Sequence, residues 1–310
     1  MIRNEAVAGQ FYEADKESLT LQIEDCFLGS KGVGHLPKEN TQKEEANKEK
    51  TNNKKQTHKE SIIGAISPHA GYYFSGQAAS FVYEKISKCD IDTIIILGPN
   101  HYGTGSNITT TLNQSWNTPL GIVQIDRNFI SKLIELNKDV KDNPNAHTHE
   151  HSIEVQLPFL EFIKNNSLFV PLMIKDLSEE NCKQLAEDIN TTAKKLNKKI
   201  LVIASSDFTH YGSNFNYEIF NNTNNVKENI KSLDMSFVEL IKKLDAKEFY
   251  KKSKDSTICG RLPITILLFY LKQQKITQTK LEAYYTSDDI MPSHNKSSIN
   301  SVSYVSMIFE

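Results

Sequence analysis

Asp92–His101, DTIIILGPNH, decides the fold. Thr93 through Leu97 leave no polar face, so a strand here needs cover on both sides. That is the setting of an interior parallel strand in an α/β sheet. Gly98 and Pro99 then stop the strand, and Asn100 and His101 fall just past its carboxyl end. The same grammar recurs on either side in sequence. Ser61–Ser67 runs into Pro68-His69-Ala70-Gly71, and Lys199–Ala204 runs into Ser205-Ser206-Asp207-Phe208-Thr209-His210. Ligands of open α/β sheets sit in the crevice outside the carboxyl ends of the strands. Residues far apart in sequence are thus aimed at one place, and they are types that bind metals and move protons.

Between these strands the apolar spacing is helical. Ser75–Lys88 carries Ala79, Val82, Tyr83 and Ile86 on one face. Further helices are expected at Arg127–Asn137, Val226–Leu244 and Ala246–Lys252, and at Glu179–Leu196 with Ser178 as N-cap. Glu150–Lys164 reads as a helix that Pro158 must kink or restart, and Pro263–Lys272 as a short apolar helix with proline at its first position. Extended stretches are expected at Ile108–Leu112, Gly121–Ile125, Phe169–Ile174, Lys280–Thr286 and Ser301–Phe309. The expected fold is one α/β domain spanning 1–310, with a mostly parallel central sheet flanked by helices. Pro37–Glu60 breaks the pattern: it holds no aromatic residue and no aliphatic one larger than Ala46. It cannot bury enough apolar area to offset its ordering entropy, so a disordered polar insertion is expected there, and His58 inside it is discounted as a ligand.

Lys and Arg total 36, Asp and Glu 38, for a net charge of −2. This balance gives no basic surface for a nucleic acid. No apolar run reaches the ~20 residues of a membrane span, and MIRNEAVAGQFYEAD lacks the basic-then-apolar order of a secretory signal. Cys26, Cys89, Cys182 and Cys259 form no CxxC pair. A cytoplasmic protein with free thiols is the expectation.

Several residues could carry chemistry. His69 and His101 each follow a strand and a proline turn. Asp207 and His210 share a turn in which the carboxylate could fix the imidazole tautomer, or cap a helical turn. NAHTHEHSIEVQLPF supplies His147, His149, Glu150, His151 and Glu154. Where this run enters a helix the histidines diverge, so His151 is expected to project into the site while His147 and His149 are solvated. Cys259 precedes Gly260, Arg261 and an apolar helix, a setting that lowers a thiol pKa. Arg261 could instead grip an anionic substrate. Cys26, Cys89 and Cys182 are expected to pack as small hydrophobes. No glycine-rich phosphate loop is present, which disfavours nucleotide binding.

The motifs NEAVAGQFYEAD, SPHAGYYFSG, LGPNHYG, EHSIEVQLPFL, SSDFTHYG and TICGRLPI, taken in order, resemble the MEMO family, whose microbial members are often called AmmeMemoRadiSam system protein B. The resemblance covers nearly the whole chain outside 37–60. It implies a fold similar to that of class III extradiol (LigB-like) dioxygenases and a metal held by His69, His101 and Cys259. Asp207, His210 and His151 would line the same cleft as catalytic residues. It also implies iron or copper as the metal, with zinc as a third choice, and a radical-SAM or related pathway protein as a partner. Ring-cleaving dioxygenases use a carboxylate where this pattern has a thiolate, so their activity does not follow from the fold. Three readings result: a metal-dependent redox enzyme acting on an unidentified small molecule or peptide, a non-catalytic metal- or peptide-binding module, and a zinc-dependent hydrolase.

Overall fold

The computed structural model describes residues 2–37, 61–163, 166–220, 225–292 and 299–310. Apart from Pro37, the expected insertion lies outside the described residues, and so does His58. The chain opens with β1 (Ile2–Arg3) and α1 (Lys16–Leu28), then β2 (Gly64–Ser67), α2 (Tyr72–Ile86) and β3 (Thr93–Pro99). β4 (Ile108–Thr110), β5 (Ser115–Thr118), β6 (Gly121–Val123), α3 (Arg127–Leu136) and β7 (Val140–Asp142) follow. After two 3-10 turns come α4 (Leu157–Phe162), β8 (Leu168–Ile174), α5 (Glu179–Leu196), β9 (Ile200–Ser205) and β10 (His210–Tyr211). The chain ends with α6 (Val226–Lys242), α7 (Ala246–Lys252), α8 (Arg261–Leu271), β11 (Thr279–Thr286), α9 (Ser287–Ile290) and β12 (Ser301–Phe309).

Among the described residues, nine strands form the main sheet in the order β10-β12-β2-β9-β3-β8-β4-β7, with β11 on the other edge of β12. The four central strands, β2, β9, β3 and β8, are parallel. The flanks are mixed: β12 is antiparallel to β2, β10 and β11, and β4 is antiparallel to β8. The parallel arrangement read from the apolar runs thus holds at the centre. The late strands β11 and β12 pair with each other antiparallel along most of their length. A second, three-stranded sheet pairs β1, β5 and β6, and neither β1 nor β5 carries enough apolar pattern to be read from sequence.

β3 is buried along its whole length, as a doubly covered strand must be. α1, α2 and α4 pack together in one helical layer, and α3, α5, α7 and α8 in another. α8 is apolar all round, with every residue from Leu262 to Leu271 buried, because other elements enclose it completely. Ser178 caps α5, its hydroxyl accepting from Asn181 N. The helix expected over Glu150–Lys164 is shorter. A 3-10 turn at Glu154–Gln156 leads into α4, and Pro158, which has no N–H to donate, sits in the first turn of α4. Pro263 likewise falls in the first turn of α8 rather than at its first residue.

Register positions the site. Ser67 of β2 lies beside Ser205 of β9, and Leu97 of β3 beside Ala204. The turns after these strands therefore begin at the same level, bringing His69, Asp207 and His101 to one end of the sheet.

Candidate metal centre

His69 is 2% exposed and fixed at both ends. Its backbone N–H donates to Asp207 Oδ1 at 2.9 Å, and its Nδ1 lies 3.0 Å from Ser205 Oγ. The Ser205 hydroxyl donates to Ser152 O at 2.5 Å and accepts from Gln156 Nε2 at 2.9 Å. Its proton is committed, so His69 must donate from Nδ1 and keep a lone pair on Nε2. That lone pair faces Cys259 Sγ at 3.2 Å.

His101 repeats the device with a carboxylate. Its Nδ1 is 3.0 Å and its backbone N is 2.7 Å from the two oxygens of Glu150. His210 repeats it with carbonyls, its Nδ1 lying 3.0 Å from both Phe208 O and Thr257 O. All three rings carry their proton on Nδ1 and leave Nε2 free. A metal-ligating imidazole needs such support for its other nitrogen.

The rings crowd together. His69 and His101 have centroids 5.3 Å apart with planes at 75°, and His69 and His151 are 5.6 Å apart at 84°. His101 and His151 are stacked, 4.8 Å apart at 14°. Ligand atoms of His69, His101 and His151 all lie within 4.8 Å of one another, and so do those of His69, Asp207 and Cys259. His69 belongs to both groups. These donors suit a transition metal: neutral imidazoles, a soft sulfur and one carboxylate.

A cavity of about 720 Å³ opens over the rings. His69, His101, His151, Asp207 and His210 line it, together with Phe11, Tyr73, Phe74 and Phe215. Burial keeps His69 and His151 neutral: it drives His69 well below the usual imidazole range and His151 down to about 4. Burial works against ionised Glu150, yet the hydrogen bond from His101 and the backbone donors hold it at about 2.

A family model described as Memo-like protein matches residues 3–308. The chain belongs to the Memo family. A MEMO1 family protein of Methanopyrus kandleri is 34% identical over 312 residues, which span 100% of this chain and 99% of that one. Another, from Nitrosopumilus maritimus, is 32% identical over 94% of each chain. The crystal structure of an uncharacterized protein from Escherichia coli K12 aligns with 81% of this chain and 100% of its own at 12% identity, with a TM-score of 0.47.

Every cleft residue expected from the sequence of this Memo family chain reaches the same end of the sheet. The details differ in four ways. Asp207 does not set the tautomer of His210; its Oδ1 accepts from the backbone of His69 and, at 3.3 Å, of Ala70. The Cys259 thiol is raised rather than lowered. The residue keeps some surface, but its sulfur is enclosed, and burial and then the Asp207 carboxylate disfavour the thiolate. Arg261 does not line the cavity, and its guanidinium lies 5.9 Å from the centre of the Tyr250 ring. His149 is exposed as expected, but His147 is fully buried against Trp116, with ring centroids 5.4 Å apart.

Sequence reasoning gave no role to Arg3 or Phe11. Arg3 is buried and donates to His147 O, Glu154 Oε2 and Glu150 O at 2.7–2.8 Å. Glu154 also accepts from Val7 N and from Tyr12 Oη. The N-terminal segment is thereby strapped across the site, placing the Phe11 ring 4.6 Å from His151. An arginine two residues from an N-terminus carries no local signal of this. None of the four cysteines is in a disulfide, and Cys26 and Cys182 are buried as expected. No helix among the described residues is long and apolar enough to cross a membrane.

Proposed function

We propose that His69 Nε2, His101 Nε2 and Cys259 Sγ hold a redox-active metal ion, iron or copper, and that the protein is a metal-dependent oxidoreductase acting on a small molecule in the aromatic-walled cavity. The observation that carries this is the set of fixed tautomers: His69 and His101 are each locked with Nε2 free, and Cys259 Sγ stands 3.2 Å from the first. An imidazole lone pair lies in its ring plane, so two rings share an ion where their planes cross. The planes of His69 and His101 cross at 75°. Those of His101 and His151 are nearly parallel, so His151 would have to turn to join His101 on one ion, whereas His101 and Cys259, which share no group within 4.8 Å, would draw together around it through His69. His101 is the better second ligand, because its Nδ1 is 3.0 Å from Glu150 whereas that of His151 is 3.6 Å away.

The bound metal would supply a change of oxidation state and Lewis acidity, tuned by a thiolate that favours softer ions. The remaining steps belong to the chain. Phe11, Tyr73, Phe74 and Phe215 would hold the substrate and exclude water. His210, with Nδ1 tied to two carbonyls, offers Nε2 as a proton acceptor, and neutral His151 offers a second. Asp207 would position His69 by fixing its backbone. With all four cysteines outside disulfides we read the compartment as reducing and cytoplasmic.

Metal analysis of the purified protein and its variants tests the ligand set. Cys259→Ser and His101→Ala are expected to lose most of the metal, and His151→Ala to keep it while losing turnover. Retention in Cys259→Ser with loss in His151→Ala would assign the ion to the three histidines instead.

A further inference from the structure

We infer that Glu150 is the positioning residue of this centre: one carboxylate that fixes the His101 tautomer and the backbone of His151 together, held in place from the N-terminus by Arg3. This rests on the ligand reading above and adds what sets the geometry of those ligands.

Glu150 is 1% exposed and receives four donors at 2.7–3.0 Å. Oε2 accepts from His101 N, and Oε1 accepts from His101 Nδ1, His151 N and Ser152 N. Three of these are backbone N–H groups, which can only donate. Only a group that accepts at both ends satisfies them, and an ionised carboxylate is that group. A glutamine would turn its NH2 toward either His101 N or the pair His151 N and Ser152 N, leaving a donor facing a donor in a buried site. The same oxygen that orders residues 151 and 152 therefore dictates which nitrogen of His101 carries the proton. Nε2 of His101 is left as a lone pair by a group that is not itself a ligand.

Glu150 sits in a non-repetitive segment that needs support from outside. Arg3 gives it: Nη2 donates to Glu150 O at 2.8 Å and Nε to His147 O at 2.8 Å, while Nη1 meets the buried Glu154 at 2.7 Å. One side chain thus pins the segment at three points, and Ser152 Oγ adds a fourth by donating to Pro99 O at 2.9 Å. Pro99 is the last residue of β3 and precedes Asn100-His101, so the segments carrying the two histidines are tied to each other.

The test is 15N-histidine NMR of the metal-free protein combined with anaerobic cobalt(II) titration. In the wild type, His101 is expected to carry its proton on Nδ1. In Glu150→Gln the NH2 either faces Nδ1 and reverses that preference or faces His101 N and disturbs the backbone that carries the ring, and in either case cobalt(II) affinity falls about 10–100-fold, the usual effect of losing a group that orients a ligand. A part that only supports the fold would lower the melting temperature and change neither readout. A wild-type His101 protonated on Nε2 overturns the proposal without any variant, and so does unchanged cobalt(II) affinity in a folded Glu150→Gln protein. Failure of the wild type itself to bind cobalt(II) overturns the ligand reading instead, while the tautomer still decides the role of Glu150.

Discussion

At the residue scale the account turns on which nitrogens hold protons. His69, His101 and His210 each give Nδ1 to a fixed acceptor, and three different acceptors do the work: a hydroxyl, a carboxylate and a pair of carbonyls. Arg3 and Glu154 are the other decisive pair, their side chains only 3% and 0% exposed. Removing one partner of a buried pair strands the other charge. Arg3→Leu is expected to cost about 3–5 kcal/mol in denaturant unfolding. A loss below about 1 kcal/mol would mean that the strap is held elsewhere. The positions of His69, His101, Asp207 and His210 were legible in sequence, because a strand followed by a proline or serine turn says where its last residues point, whereas Cys259 was placed with them only by the family resemblance. Their partners were not. Ser205 lies 136 positions from His69, and Arg3 lies 151 from Glu154. A hydrogen bond across such a distance leaves no periodic trace.

At the scale of elements, close approach does the positioning. Gly98, next to last in β3, lies beneath the segment that carries Glu150 and His151. A Cβ there would come within 2.6 Å of both Ile153 Cγ1 and Ser152 Oγ. A Cβ on Gly260, which precedes α8, would collide with Ser206 and push Cys259 away from β9. Gly98→Ala and Gly260→Ala are each expected to cost about 1–3 kcal/mol of stability and to weaken metal binding, although neither residue touches the ion. Equilibrium unfolding with metal titration of both variants checks this, and unchanged metal affinity in either would show that the loops adjust freely. The longer helices from α2 onward and the long strands were readable because they bury continuous apolar faces. β1, β5, β7 and β10 were not, at two to four residues each. Strands so short are chosen by their partners rather than by their own sequence.

At the scale of the whole molecule, buried histidines couple stability to pH. Burial, with the charge of Arg3 adding to it, depresses His147 to about 3, and the Thr110 backbone and then Glu150 oppose this weakly. Its folded value lies below the unfolded one of about 6.5. Below pH 6.5 the unfolded chain takes a proton that the native chain refuses, so stability falls as pH drops from 6.5 toward 3. The cost is as much as about 1.4 kcal/mol per pH unit for this group. Among the described residues neither ring nitrogen of His147 has a hydrogen-bond partner within normal geometry, so that cost is only weakly offset. Replacing it, as in His147→Leu, is expected to flatten the acid limb of the stability profile by one proton relative to the wild type. Parallel limbs for the two proteins would show that His147 is reached by water. The fold class followed from the apolar runs. The mixed edges of the sheet did not, since strand direction at an edge depends on the connection between strands and not on their composition.

The most direct test of the central claim is a crystal structure of the metal-replete protein with anomalous scattering recorded at the iron, copper and zinc edges. The account predicts one ion at first-shell distances of about 2.0–2.3 Å from His69 Nε2, His101 Nε2 and Cys259 Sγ, with Glu150 still hydrogen-bonded to His101 Nδ1. An ion bound without the sulfur of Cys259 would contradict it.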